Sequence, residues 1–174
     1  MRIAILILLF VASLSGADSD SDSKLLLRFT GGMGVSSDML GLEARMLAGS
    51  SRMPVLIGVQ GMGLADFTLF VTPSESNSSV HLIVARELYR GNVGSVLVYG
   101  GGGRAKIVER GKLIDQHWLG EEYEAITTES PSALVGIDCG VSYHHVIGVS
   151  FQVGALLNAK PTGFVMVQAD LGRW

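Results

Sequence analysis

Apolar residues recur at every second position through most of the chain. Within 25–35 the odd positions are apolar or glycine, whereas the even positions include Arg28 and Thr30. The longest such run keeps its phase through 55–71. Because successive side chains of a β-strand point to opposite faces, a period of two predicts strands with one apolar and one mixed face.

Eight segments share this alternation: 25–35, 40–48, 55–71, 80–88, 93–107, 133–143, 147–157 and 165–171. Arg86 is the only charged residue on their apolar faces. In 93–107 the apolar face is assigned to the odd positions, Leu97 and Tyr99 among them. The interleaved positions carry the other charges, which are Arg28, Glu43, Arg45, Asp66, Glu87, Arg104, Lys106, Asp138 and Asp170. So uneven a distribution predicts one face of each strand shielded from water.

Three stretches lack a clear strand pattern. The segments 39–47 and 81–89 contain good helix formers and end near Gly49 and Gly91, so helix and strand both remain open for them. The stretch 111–130 is acidic and has no sustained period. We predict that it forms a long polar loop.

Alternation alone fits two architectures, a soluble barrel or sandwich with the apolar face inward and a membrane barrel with that face outward. The mixed faces are rich in glycine and small polar residues, which suits a narrow, packed lumen. The links after odd-numbered strands (36–38, 72–79, 108–131, 158–162) are mostly longer than the links after even-numbered strands, which lie near 50–52, 91–92 and 144–145. This rhythm predicts an all-β, antiparallel up-and-down transmembrane β-barrel of eight strands, or ten if a long strand is a hairpin.

The start of the chain has the parts of a secretory signal peptide. Met1 and Arg2 precede an apolar stretch over 3–14, and small residues follow up to Ala17. That stretch is short against the ~20 residues of a spanning helix. We predict a signal peptide over 1–17, a polar arm over 18–23 and a β-barrel domain over 24–174.

Composition narrows the function classes. Hydrophobic residues make up 48% of the 174 residues and charged residues 17%, yet no segment after the signal peptide is long and apolar enough for a membrane helix. The net charge of −3 gives no footprint for nucleic acid. Cys139 is the single cysteine, so an internal disulfide is excluded.

The C-terminal part of the chain carries a family resemblance. Segments 133–143 and 149–157, followed by Lys160 and Pro161, resemble the closing hairpins of small bacterial outer-membrane β-barrel proteins of the eight-stranded type. Such proteins commonly end in an aromatic residue that the assembly machinery reads, and this chain ends in Trp174. The resemblance implies an outer-membrane location with lipid and the barrel-assembly machinery as partners, and it implies no catalytic residues. Trp174 itself falls out of phase with the apolar face.

Charged and amide side chains on the mixed faces form the main candidate site. A narrow barrel would bury them, and buried charges need partners. We predict a polar network in the lumen built from Arg28, Glu43, Arg45, Asp138, Gln152, Gln168 and Asp170. Arg28 lies near the start of the first strand and Asp170 near the end of the last, so we predict that they pair across the closing seam.

Other constellations indicate chemistry only weakly. The run Gly100–Gly103 before Arg104 lacks the Lys-Ser/Thr ending of a nucleotide loop and fits a glycine-rich strand. His144 and His145 make a poor metal pair without further ligands. Asp138, Ser142, Ser150 and His144 permit a hydrolase triad on paper. Cys139 lies on an apolar face and is expected to be a buried, inert thiol. No cofactor or metal is expected.

Three functional hypotheses follow. The leading one is a non-enzymatic outer-membrane barrel with a structural or surface-interaction role, in which the loop 108–131 binds a surface ligand. The second is a soluble barrel, periplasmic or secreted, whose apolar face lines a pocket for an apolar ligand. The third is a lipid-modifying outer-membrane enzyme.

Overall fold

A computed structural model describes residues 25–37, 39–50, 55–66, 68, 71–118, 120–144 and 146–173. The predicted signal peptide, the polar arm and Trp174 lie outside these residues. The described part consists of strands and their connections. The strands are β1 (Leu25–Ser36), β2 (Met39–Ser50), β3 (Val55–Asp66), β4 (Val71–Thr72), β5 (Ser76–Arg90), β6 (Gly94–His117), β7 (Gly120–Tyr143), β8 (Ile147–Leu157) and β9 (Thr162–Arg173).

Eight of these strands close into a barrel. The hydrogen-bonded order is β7-β6-β5-β3-β2-β1-β9-β8, and β8 pairs again with β7. Every pairing in the ring is antiparallel, and β1 meets β9 with Thr30 opposite Asp170. The two-residue β4 adds to β7 in parallel outside the ring. The predicted all-β, antiparallel eight-stranded barrel is confirmed, and the ten-stranded alternative is wrong.

The barrel has two distinguishable ends. At one end, which we call the loop end, the chain passes from β1 to β2, from β3 to β5, from β6 to β7 and from β8 to β9. At the other end, which we call the turn end, it passes from β2 to β3, from β5 to β6 and from β7 to β8. At the turn end His144 has a positive φ of 51°.

The two segments that also fitted helices are strands. Segment 39–47 belongs to β2 and segment 81–89 to β5. Each is hydrogen-bonded to a neighbour on both sides, β2 between β1 and β3 and β5 between β3 and β6. Closing the sheet satisfies the backbone groups of these segments, and that gain outweighs a helix propensity of tenths of a kcal/mol per residue.

The prediction of a long polar loop over 111–130 is wrong. β6 continues to His117 and β7 begins at Gly120, and the two pair to the tip with irregularities between Arg110 and Asp115. Side chains on both faces of this part are mostly exposed. The sequence has no period of two here because neither face is shielded from water.

The long alternating run 55–71 ends as a strand at Asp66, five residues earlier than predicted. Its neighbour β5 begins at Ser76, opposite Ala65. Beyond that rung β3 has no further rung with β5 among the described residues, and its last rung with β2 joins Asp66 to Met39. The Asp66 amide instead donates to the Glu75 carbonyl across 2.9 Å, and this bond starts the connection to β5.

The apolar faces of seven ring strands point outward. Phe29, Leu42, Ile57 and Leu82 are 48–68% exposed, and Ile137, Phe151 and Val167 continue the pattern on β7, β8 and β9. We call these outward residues and their alternating neighbours the apolar belt. Arg86, its one charge, lies opposite Val55 near the turn end, where a long cationic side chain can reach water.

The phase assigned to 93–107 is wrong. In β6 the odd positions are buried in the lumen, including Leu97, Tyr99 and Ile107, while Arg104 and Lys106 point outward. Apart from Ser95, both faces of the lower part of this strand are apolar or glycine, so the predicted phase rests on Arg104 and Lys106. They lie toward the loop end, four and two residues before Val108, which forms the last rung with β5.

The lumen is filled by side chains. Leu26, Leu47, Leu56 and Leu97 pack toward the turn end. A second apolar group toward the loop end comprises Met39, Leu64, Leu156, Phe164 and Met166. Tyr99 lies directly opposite Gly136, where a Cβ would collide with the Tyr99 hydroxyl. Glycine at 136 therefore makes room for an aromatic ring inside a narrow barrel.

Candidate functional site

The seven residues predicted to form a polar network are all buried in the lumen. They project from β1, β2, β7, β8 and β9 and are at most 6% exposed. We call them, with the side chains that bond to them, the lumen network. Their inward direction follows from the phase of their strands, since each interleaves with outward apolar residues.

Arg28 joins the first and last strands. Its Nε and Nη2 atoms donate to the two carboxylate oxygens of Asp170 at 3.0 and 2.8 Å, and Nη2 also lies 3.4 Å from both oxygens of Asp138. Thr30 donates to Asp170 at 2.8 Å. The predicted seam pair thus has the two-point geometry that favours arginine with a carboxylate.

Arg45 forms the second centre of the network. Its Nη2 atom donates to Asp138 and, at 3.0 Å, to the Gln168 side-chain oxygen. The guanidinium lies 5.1 Å from the centre of the Tyr99 ring, within cation–π range. Glu43 approaches its Nε at 3.9 Å. Asp138 therefore lies between two arginines that neutralise its charge.

The glutamines extend the network toward β6 and β8. Gln168 donates to Gln152, which donates to the Tyr99 hydroxyl, while Ser150 donates to Gln168 at 3.1 Å. Thr30, Ser150 and Tyr99 were absent from the predicted set. The first two share the phase of predicted members and were detectable from it. Tyr99 was missed because the phase of β6 was assigned the wrong way round.

The hydrolase triad considered for Asp138, Ser142, Ser150 and His144 is not assembled. Asp138 contacts two arginines and Ser150 contacts Gln168. His144 is at the turn end, where its ring meets Tyr143 edge-on at 4.2 Å. His145 lies outside the described residues. The prediction of a buried Cys139 thiol is wrong, because Cys139 points outward and is exposed.

A second polar group lies on the β3, β5 and β7 side of the lumen. His81 Nε2 is 2.9 Å from the Ser132 hydroxyl, and Asn158 donates to Asn77 at 3.1 Å. Neither the His81 Nδ1 atom nor the Gln60 amide has a hydrogen-bond partner among the described residues. A carboxylate that could orient His81 is missing from this described set, so the pair lacks the third member of a catalytic triad.

The described residues contain neither a membrane-spanning helix nor a metal-binding cluster. That part of the chain has no helix long and apolar enough to cross a membrane. Its His, Cys, Asp and Glu side chains form no group of three or more able to hold a metal ion.

The outer parts of β6 and β7 extend past the rest of the barrel. The last rung with β5 is Ser76 opposite Val108, and the last with β8 is Ala133 opposite Leu157. Residues 108–117 and 120–127, with the turn between them, form what we call the projecting hairpin. At ~3.3 Å per residue, the ten-residue arm reaches roughly 33 Å and the eight-residue arm roughly 26 Å.

Polar contacts fix the base of the projecting hairpin. Arg110 donates to the Pro73 carbonyl at 3.1 Å and also pairs with Asp66 and Thr68. Lys160 reaches Glu109 at 3.2 Å and Glu75 at 3.4 Å. The hydrogen bond to Glu109 is the main cause that raises the pKa of Lys160 above its ordinary value.

The tip of the projecting hairpin combines exposed apolar and acidic groups. Trp118 is 91% exposed and Ile114 64%, and Leu113 and Ile126 are nearly half exposed. The Tyr123 hydroxyl donates to Glu121 at 2.7 Å, which raises the pKa of Tyr123. In 108–131 the acidic residues outnumber the two basic residues, Arg110 and Lys112. The acidic residues are Glu109, Asp115, Glu121, Glu122, Glu124 and Glu129.

The architecture has a solved counterpart. It is similar to the crystal structure of Ail, the attachment invasion locus protein of Yersinia pestis, in complex with the heparin analogue sucrose octasulfate. The TM-score is 0.54 with 8% sequence identity, and the match covers 88% of this chain and 100% of the Ail chain. The chain therefore has the outer-membrane β-barrel fold. No protein-family model and no curated protein sequence matches it.

Proposed function

We propose that the chain is an outer-membrane β-barrel protein with a surface-interaction role, in which the lumen network is structural and the projecting hairpin contacts the partner. An exported precursor with a signal peptide over 1–17, delivered to the barrel-assembly machinery through the aromatic end at Trp174, fits this function. Lipid surrounds the apolar belt. The loop end faces the exterior.

The apolar belt carries the proposal. Large apolar side chains such as Phe29, Leu82 and Phe151 are about half exposed or more on strands all around the ring. Monomeric soluble proteins rarely expose a contiguous apolar patch of more than a few hundred Å². Lipid around the belt removes the cost of exposing apolar side chains to water. Outward charges are nearly absent, as expected if each charge at the bilayer midplane costs ~2–4 kcal/mol.

The soluble ligand-binding alternative needs the apolar face to line an internal pocket. That face points outward on seven strands, and the inward positions are filled by the two apolar groups and the lumen network. The lumen network leaves the barrel centre packed rather than open, which also fits the packed interior of eight-stranded barrels. A channel function is not supported.

The projecting hairpin suits recognition for two reasons. It presents an exposed Trp118 with neighbouring apolar side chains, the residue types enriched at interaction hot spots. Its excess of acidic residues favours a partner surface with basic groups around an apolar pocket. Ail was solved with a polyanion. For this hairpin we propose the opposite charge preference, since acidic residues repel sulfated ligands.

Insertion of a short epitope tag tests the placement. A tag between Trp118 and Gly120, expressed with the full chain in a Gram-negative host, should be detected by antibody on intact cells. A matched tag between Gly91 and Val93, at the turn end, should be detected only after the cells are permeabilised. Both proteins should fractionate with membranes and migrate faster on gels when unheated.

Two results would contradict the proposal. One is that carbonate washing of the membranes releases the protein, and the released protein stays in solution without detergent. The other is equal detection of both tags on intact cells, because a closed barrel in a membrane exposes the two ends to different sides.

A further inference from the structure

A shallow groove lies on the outer surface where the apolar belt meets the loop end. It has a volume of about 460 Å³ and is bordered by Gly61, Ser78, Val80, Arg104, Lys106 and Glu129. We call it the rim groove. The register places these residues on adjacent strands, with Arg104 between Val80 and Pro131 and Lys106 between Ser78 and Glu129.

The rim groove contains two outward cations. Arg104 and Lys106 are both exposed, and they are two residues apart on one face, which separates their Cα atoms by ~7 Å. Neither forms an ion pair with another described residue, although Glu129 lies directly across from Lys106. Two flexible cations at this spacing can both reach the oxygens of one phosphate group.

Gly61 contributes no side chain to the groove. A Cβ added there would meet only a backbone oxygen, at 4.0 Å. The surface outside Gly61 is therefore open beside the two cations.

The position of the groove selects the kind of ligand. On β6 the outward residues below Arg104 are Gly102, Gly100 and Val98, all without charge, so the cations stand at the border of the apolar belt. Polar head groups flank the hydrocarbon core of a bilayer at this level. Basic side chains at that border attract anionic lipids.

We propose that the rim groove binds the phosphate-bearing head group of a membrane lipid, with Arg104 and Lys106 as the binding cations. The proposal rests on the membrane placement given under the proposed function. Glu129 weakens the site, because its carboxylate lies beside the phosphate. The acyl chains of the bound lipid lie against Val80 and the glycines below it.

Native mass spectrometry of the full mature chain, refolded in a zwitterionic detergent, tests the site. The probe is dioleoyl phosphatidic acid, with dioleoyl phosphatidylcholine as the neutral reference. The wild type should retain phosphatidic acid in preference to phosphatidylcholine. Arg104→Gln with Lys106→Gln should weaken that binding by about 25-fold, at roughly 5-fold per cation. Glu129→Gln should strengthen it.

The controls distinguish lipid binding at the rim groove from nonspecific attraction to positive charge and from a failure of the variant to fold. Arg86→Gln removes an outward cation at the turn end and should leave phosphatidic acid binding unchanged. Unheated gel mobility of each variant shows whether the barrel has formed. Millimolar inorganic phosphate should not displace the lipid, because the acyl chains contribute to binding.

The proposal is overturned if the folded double variant binds phosphatidic acid as tightly as the wild type, or if Arg86→Gln weakens binding equally. Displacement by inorganic phosphate would also overturn it, since the occupant would then be a free anion. A chain that folds only in water without detergent contradicts the proposed function instead, and the gel and solubility data distinguish that case.

Discussion

The two halves of the β6–β7 pair have the same backbone structure in different surroundings. In the lower half, inward residues such as Leu97 and Asp138 are buried while Ile137 on the outer face is half exposed. In the projecting hairpin both faces are mostly exposed, including the polar Glu124 and Thr127 and the apolar Ile126 between them. Hydrogen bonding between the strands continues through both halves.

The difference shows what alternation in a sequence reports. A period of two appears where the two faces of a strand meet different media, and it disappears where both meet water. The lower half requires its side chains for stability, whereas the projecting hairpin is held by backbone pairing and by the contacts of Arg110 at its base. Substitutions of the same type should therefore have very different effects in the two halves.

Charge reversal in the lumen network should produce the largest effect. Arg28→Asp places a carboxylate beside Asp138 and Asp170 and should lower the free energy of unfolding by at least about 3 kcal/mol, as expected for a broken buried ion pair. Adding Asp170→Arg should restore part of the loss. Urea unfolding in detergent micelles, followed by tryptophan fluorescence, measures both changes.

The matched reversal in the projecting hairpin is Glu124→Arg, which should change the free energy of unfolding by less than about 0.5 kcal/mol. The seam pairing of Arg28 with Asp170 is refuted if the double reversal folds no better than either single variant.

A lysine in the apolar belt should have the next largest effect. Leu82→Lys puts a charge in the middle of the outer face of β5 and should destabilise the barrel by ~2–4 kcal/mol in lipid vesicles. Ile126→Lys, at a position of similar exposure in the projecting hairpin, should cost almost nothing. Equal losses in the two variants would mean that lipid does not surround the belt.

Shortening the projecting hairpin should have the smallest effect on the fold. Glu109 is opposite Ile126, so residues 110–125 can be replaced by an Asn-Gly turn. We expect the shortened barrel to fold with a loss of at most about 1 kcal/mol, mainly from the missing contacts of Arg110 and the lost pairing of β4 with Glu121 and Glu122. Unheated gel mobility measures this, and failure to form a barrel would show that the hairpin belongs to the folding core.

The fold was largely predictable because one face of each strand is shielded. The phase placed Phe29 outward and Arg28 inward without any coordinates, and strand β9 was equally clear. The errors arose where that contrast fails. In β6 both faces below Arg104 are apolar or glycine apart from Ser95, and in 111–130 both faces are mostly exposed to water, so alternation in the sequence predicts neither outcome.

The lumen residues were predictable for a related reason. A charge that interleaves with apolar residues must face a narrow interior, and this identified Arg45 and Asp138. Which lumen side chains contact one another depends on the register between strands that are far apart in the chain. Local sequence patterns do not predict that register. Tyr99 joins the network through that stagger, as does the pair of His81 and Ser132.

The meeting of β1 and β9 sets the order of events in biogenesis. The first and last strands are joined by the bond between Arg28 and Asp170, residues 142 positions apart. Ring closure must therefore wait until β9 has been synthesised, and until then the edge of β1 offers unpaired backbone groups. A chaperone that occupies this edge would protect the chain during that interval, and its release would coincide with the pairing of β1 with β9.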